Sequence, residues 1–169
     1  MRTRLRQQSG FTIVEMIIVT CIIAILASVA ISAMRDYTRR ARISEVVMAS
    51  GQCKNAVTEG YPTFDTAPPA GGWGCEATSG NTRYAGVVQT SANGVIRIAI
   101  ANLDSNINGH YVFLVPARSD GLTPMKTATD IGSGVRGWIC GSDLSFVRNA
   151  LPANCRIDTT TFSTEAFGP

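Results

Sequence analysis

Histidine is almost missing from the sequence, His110 being the single one among 169 residues, and no CxxC pair occurs. Zinc centres draw on clustered cysteine and histidine, so the composition speaks against one. A phosphate-cradling loop ending in glycine and lysine is also lacking, which argues against ATP hydrolysis by this chain. No nucleophile, base and orienting group stand together, so the expectation is a protein without catalytic, cofactor or metal residues. Charge is scarce as well: charged residues make up 16%, against about 25% in an average globular chain. Residues 16–34 carry no charge at all, and no proline precedes Pro62.

The formal charge of +3 rests on Arg2, Arg4 and Arg6. Without the first ten residues, twelve basic side chains face twelve acidic ones, and such a balance gives no support to nucleic-acid binding. Of the five cysteines, Cys21 lies inside the apolar run, while Cys53, Cys75, Cys140 and Cys155 lie beyond it. These four can form two bridges in three connectivities, a pattern suited to an oxidising compartment outside the cytoplasm.

What is present is a long apolar segment. Residues 16–34 number 19, and as a helix they span about 29 Å, close to the roughly 30 Å hydrocarbon thickness of a bilayer. The three leading arginines place the first residues in the cytoplasm and the remainder outside. A secretory signal would have a shorter apolar core and a cleavage site after it, which residues 27–30 imitate. Glu15 distinguishes the segment, because a carboxylate at the centre of a spanning helix costs about 2.5–3.5 kcal/mol and less near the interface. Were the chain cut between Gly10 and Phe11, the new amine would lie one helical turn from Glu15. That amine, of the same or a neighbouring copy, would offset the cost, whereas Glu15 facing the lipid interface is the plainer reading.

The stretch "SGFTIVEMIIVTCIIAILASVAIS" closely resembles the N-terminal segment of type IV pilins and the related pseudopilins. The shared features are a short basic leader, Gly10 before the processing site, Phe11 as first mature residue, and Glu15 as its fifth. The resemblance implies cleavage between Gly10 and Phe11 by a membrane prepilin peptidase, N-methylation of Phe11, and Glu15 as the assembly residue that engages an incoming subunit's amino terminus. Many major pilins carry glycine where this chain has Ala24 and proline where it has Ser32, and the helix between can melt in their filaments. Ala24 favours helix and Ser32 keeps its amide donor, so a more continuous helix is expected over residues 24–32.

Beyond Met34 the apolar positions Ile43, Val46, Val47, Ser50, Cys53 and Val57 recur at offsets of three and four, a stripe suited to packing on a sheet. One helix from residue 11 to about residue 59, about 70 Å long, is expected, with Gly60 and Pro62 as its stop. Arg35, Arg39, Arg40 and Arg42 read as membrane-proximal charge and subunit contacts with acids such as Asp36 or Glu45; phospholipid headgroups and DNA are the other ligands considered.

Residues 61–83 are rich in turn formers and read as a loop. A bridge from Cys75 to Cys53 on the helix would tie down its middle, contributing about 3 kcal/mol by loop-closure entropy. "YAGVVQTSANGVIRIAI" presents two strands about a turn at Asn93 and Gly94, with Ile96, Ile98 and Ile100 facing the helix. "HYVFLVPA" and "VRGWICG" supply two more. The expectation is an α+β fold: a long helix packed on a roughly four-stranded antiparallel sheet. His110 reads as a turn residue. Asp104, Asp120, Asp130 and Asp143 read as solvated, with a calcium loop the alternative, although no EF-hand order is present.

Pairing Cys140 with Cys155 would close a modest loop, and spacing leaves the cross-pairings open. The region around Leu151, Pro152 and Cys155 resembles the disulfide-bounded C-terminal region of type IVa pilins, in an "LPxxC" form. Together the resemblances imply residues 1–10 as cytoplasmic leader, 11–34 as transmembrane and filament-core helix, 35–60 as its amphipathic continuation, 61–83 as loop, and 84–169 as sheet and C-terminal region. They imply a precursor in the inner membrane, then an extracellular pilus filament, homopolymeric or of mixed pilins, built by the peptidase and an assembly platform. Adhesion to a host surface, twitching motility and DNA uptake are the implied outputs. The alternatives are a minor or DNA-binding uptake pilin, for which Arg83, Arg97, Arg118, Lys126, Arg136, Arg148 and Arg156 offer dispersed cations, and a type II secretion pseudopilin.

Overall fold

Between Phe11 and Ser50 the sequence contains neither glycine nor proline, and helix α1 runs without interruption over Ile13–Ala49. The protein is described by a computed structural model covering residues 10–80 and 82–169. The rest of the expected leader, including Arg2, Arg4 and Arg6, and Asn81 of the expected loop lie outside the described residues. Chain contacts divide the molecule into two units, Met1–Tyr37 and Thr38–Pro169; α1 contributes to both.

In the second unit the helical run has one irregularity. At Ser50 the amide donates to the Val47 carbonyl at 3.2 Å, and its hydroxyl donates to the same carbonyl at 2.6 Å. This three-residue spacing tightens the turn, after which α2 continues over Gly51–Thr63. The long helix expected from the sequence is thus present over Ile13–Thr63, with one tightened turn where a serine able to bond its own backbone precedes a glycine. The stop also lies later than expected. Pro62 sits inside the last turn of α2, and the Phe64 amide closes that turn on the Gly60 carbonyl at 2.9 Å. Gly60 serves packing: a Cβ there would approach Phe64 at 2.8 Å and Trp73 at 2.9 Å.

The strands β1 (Ala85–Ser91), β2 (Ile96–Ile100), β3 (Tyr111–Ala117) and β4 (Gly137–Ser142) form an antiparallel meander. Between β3 and β4 lies the short helix α3 (Thr127–Asp130), and α4 (Ser145–Ala150) follows β4. Two strands of two residues each enlarge the expected four-stranded sheet. β5 (Ile157–Asp158) pairs parallel to β4, and β6 (Phe167–Gly168) pairs antiparallel to β1. The result is a mixed six-stranded sheet in the order β5-β4-β3-β2-β1-β6, with the helix packed on it.

One sheet face, with Val88, Ile96, Ile98, Ile100, Val112 and Leu114, meets Ile43, Val46, Cys53, Val57 and Tyr61 of the helices in one buried cluster. The hairpin turn between β1 and β2 presses on the same helices. Gly94 has φ +71°, and a Cβ on it would come within 2.9 Å of Val57. The other face is apolar too: Val95, Phe113, Val115, Ala117 and Ile139 are covered by Phe162 and Phe167 from the C-terminal segment. This explains why β3 is buried on both sides.

The loop after α2 is bonded to β1 at Gly71 and Ala77 and is held further by Cys75, Trp73 and Glu76. Cys75 is bonded to Cys53, with Cα atoms 5.0 Å apart. Trp73 stacks on Tyr61 at 5.5 Å between centroids and donates its indole N–H to the Ser91 carbonyl at 2.9 Å. Glu76 accepts the amides of Trp73 and Cys75, each at 3.0 Å, and the Thr90 hydroxyl. Burial acts to raise the Glu76 carboxyl, but the Thr90 hydroxyl and these amides outweigh it and hold the carboxyl below its usual range. Asp130, 8% exposed, behaves likewise: burial opposes the charge, while the Lys126 amide and the Arg118 guanidinium favour it and lower its pKa.

Both carboxyls titrate lower in the fold than in the unfolded chain. Their contribution to stability is therefore complete above the unfolded values of 4.5 and 3.8, and it is lost as pH falls through the folded ones. Glu76→Gln combined with Asp130→Asn should lower the unfolding midpoint at neutral pH and flatten its decline on the acid side, as read by thermal melts between neutral and strongly acidic pH. A decline as steep as that of the parent chain would refute this assignment. Gly94→Ala should cost about 1–3 kcal/mol in chemical denaturation, through its positive φ and the crowding of Val57.

Candidate membrane and assembly helix

Every residue from 10 to 37 is exposed. The described part of the first unit is therefore mainly a helix whose apolar surface the described residues leave bare all round, including Ile13, Val14, Ile17, Ile22, Ile25, Leu26 and Val29. Such a surface belongs in lipid or against other protein. The helical stretch Ile13–Thr63 contains a window long and apolar enough to cross a membrane. Its few hydroxyls are internally satisfied: Thr20 donates to the Met16 carbonyl at 3.0 Å, Ser28 to Ile25 at 2.8 Å, and Ser32 to Val29 at 2.9 Å. A hydroxyl folded back on its own helix enters an apolar environment without a lost hydrogen bond. The backbone is helical throughout residues 24–32.

The expected processing and assembly residues stand together at the start of this helix. Gly10 precedes it in an open position, with no atom of the described residues within 4 Å of where a Cβ would be. Packing among the described residues therefore does not demand a glycine there. Phe11 is 78% exposed. Thr12 supplies the helix start, its hydroxyl oxygen accepting the Glu15 amide at 3.3 Å and its O–H donating to Glu15 Oε2 at 3.4 Å. The sequence reading missed Thr12, although the spacing of threonine and glutamate in Thr-x-x-Glu is a recognisable helix-start signal. A hydroxyl shares a hydrogen bond with the Glu15 carboxylate but leaves its charge in place.

The four paired cysteines belong to the other unit, where Cys140 is bonded to Cys155 with Cα atoms 4.3 Å apart, beside the Cys53–Cys75 bridge. Cys21 is free and exposed on α1. His110, read from sequence as a turn residue, has a partner: its Nδ1 lies 3.3 Å from Asp143. Asp130 is not the solvated acid expected, being buried against Arg118.

Comparison with known proteins finds two family models along the chain. One, described as pilin (bacterial filament), matches residues 39–156; the other, the prokaryotic N-terminal methylation motif, matches residues 5–31. Similar proteins include the type IV major pilin protein PilE of Neisseria gonorrhoeae, 31% identical over 90% of this chain and 84% of the relative. A fimbrial protein of Neisseria meningitidis serogroup A is 36% identical over 88% of this chain and 94% of its own length. The fimbrial protein EcpC of Eikenella corrodens is 32% identical, with coverages of 88% and 91%.

The bare apolar helix makes a direct prediction. The full chain should partition into the detergent phase of a cloud-point separation. An aspartate replacing each of Ile22 and Ile25 should move it toward the aqueous phase, since an aspartate at the centre of a spanning helix costs about 2.5–3.5 kcal/mol. Unchanged partitioning of that double variant would disprove the membrane assignment of this segment.

Proposed function

The chain belongs to the type IV pilin family of structural filament subunits, and on that premise we propose that it is inserted in the inner membrane as a precursor, cut between Gly10 and Phe11, and polymerised into a surface pilus. The observation that carries the proposal is Glu15, a carboxylate in a bare apolar helix whose described side-chain partner is the Thr12 hydroxyl. In a bundle of such helices the charge needs a counter-ion. Removal of the leader creates one, the Phe11 amine, which keeps its positive charge when methylated.

In this reading a prepilin peptidase and an assembly platform act on the chain from outside, and separate motors drive extension and retraction. The apolar residues of α1 pass from lipid to neighbouring copies without meeting water. The two bridges fit the oxidising side of the membrane, where the second unit is assigned. Adhesion, twitching motility and DNA uptake are proposed as work of the assembled filament.

Leader removal and docking are separable in cells. Gly10→Leu should leave a membrane-bound precursor that retains its first ten residues. Glu15→Ala and Glu15→Gln should be processed normally yet reduce sheared surface filament about tenfold or more, an interaction worth about 1.4 kcal/mol per factor of ten. Intact-mass measurement of membrane and filament fractions reads both steps. Parental filament levels from Glu15→Ala would eliminate the docking role, and a processed Gly10→Leu chain would eliminate the cleavage site.

A further inference from the structure

Two arginines of the second unit share one aromatic ring. The guanidinium of Arg42 lies 5.2 Å from the Tyr84 ring centroid and that of Arg83 lies 5.7 Å from it. Arg39, three residues before Arg42 on the same helix, stacks over Phe146 at 4.9 Å, and residues at that spacing are neighbours on a helix surface. The Arg83–Tyr84 backbone is fixed in place. Asn102, at φ 55°, donates its side-chain amide to the Arg83 carbonyl at 2.8 Å, and the Ala101 amide donates to the Tyr84 carbonyl at 2.9 Å.

Two other arginines of this unit meet carboxylates, Arg118 with Asp130 and Arg148 with Asp158, and Arg97, over the Tyr111 and Phe167 rings, is bonded to Gln89. Neither Arg42 nor Arg83 has a carboxylate partner among the described residues. A single ring offsets little of two positive charges, at about 0.5–1 kcal/mol for an exposed contact. The arrangement thus holds two guanidiniums at one ring without a carboxylate partner, and guanidiniums are suited to recognising oxyanions.

The order of residues along α1 indicates which anion. The uncharged run ends at Met34; Arg35, the 77% exposed Tyr37 and Arg39, Arg40 and Arg42 follow. Apolar core, then tyrosine and arginine, is the succession of groups that matches hydrocarbon and headgroup layers. Orientation does not account for these arginines, since the bias that sets topology puts positive residues on the cytoplasmic side, the opposite end of the span. We infer that Arg42 and Arg83, held on Tyr84, bind phosphate groups of anionic phospholipids in the leaflet nearer this unit. The inference rests on the membrane-stored subunit proposed above, and its consequence is a lipid contact that the subunit must give up on leaving the bilayer.

The test uses the full chain in nanodiscs of phosphatidylcholine alone or mixed with phosphatidylglycerol, with tryptophan fluorescence reporting thermal unfolding. Phosphatidylglycerol should raise the midpoint by about 4 °C or more. Arg42→Gln with Arg83→Gln should lose at least half of that rise while melting in pure phosphatidylcholine as the parent does. If the double variant melts early even there, Arg83→Gln alone, at an exposed position, supplies the comparison. Inorganic phosphate added to phosphatidylcholine discs, if it raises the midpoint as much as phosphatidylglycerol does, overturns the lipid in favour of a free anion. A rise with duplex DNA but none with phosphatidylglycerol overturns it in favour of nucleic acid. Incorporation with no lipid-dependent shift, or a shift that survives both substitutions, sinks the inference alone. Failure to enter either disc sinks the membrane reading beneath it.

Discussion

A helix that its own chain leaves uncovered is the constraint from which the rest follows. Residues 10–37 bury nothing on themselves, and at about 25 cal/mol per Å² an apolar helix surface of this kind cannot remain in water. Lipid and other copies of the same helix both cover it without asking for directional contacts. The hydroxyls of Thr20, Ser28 and Ser32 are already bonded to carbonyls of their own helix, so either environment accepts them. On the function proposed above, one sequence would meet two surroundings with one conformation.

The second unit must fold independently of whatever covers the first. It does so around two apolar clusters on opposite faces of one sheet, the helices covering one and the C-terminal segment the other. The loop between helix and sheet is long, and a long loop needs fixed points. Its disulfide sets where Cys75 lies, the Trp73 ring fills space beside Tyr61, and Glu76 satisfies amides that a turn would otherwise leave unpaired. The two glycines at its contacts, Gly60 and Gly94, mark where ring and backbone come too close for any Cβ.

Much of this was legible in the sequence because it is periodic. The stripe from Ile43 to Val57, the alternation through Ile96, Ile98 and Ile100, and the Asn-Gly turn each impose a pattern over several residues. β5 and β6 escaped because two residues have no period; β5 lies against Gly141 of β4, which admits the Ile157 backbone closely, and Gly168 of β6 admits the backbone of Ala70. The second cluster escaped for a related reason: Phe162 and Phe167 lie in a C-terminal segment of short turns and reach the sheet only through tertiary folding. Asp130 looked like a surface acid since its amide partner, Lys126, is brought to it only when the chain turns. At the start of the helix, Gly10, Phe11 and Glu15 were singled out through a family resemblance and their roles are proposals, whereas Thr12 was readable from capping chemistry alone and was passed over.

Apolar burial is non-directional, so it cannot fix how far one helix slides along another. The uncharged run would pack almost as well displaced by a turn. A filament needs one displacement repeated at every subunit, and a single charge at one end of the run can supply it. Misplaced, the Glu15 carboxylate would face hydrocarbon with only a hydroxyl beside it; correctly placed, it would meet a neighbour's amine. The penalty for error then falls on every wrong register, while the right one gains an ion pair whose desolvation is largely offset. On this account Glu15 contributes little to how strongly subunits cohere and much to where they stop.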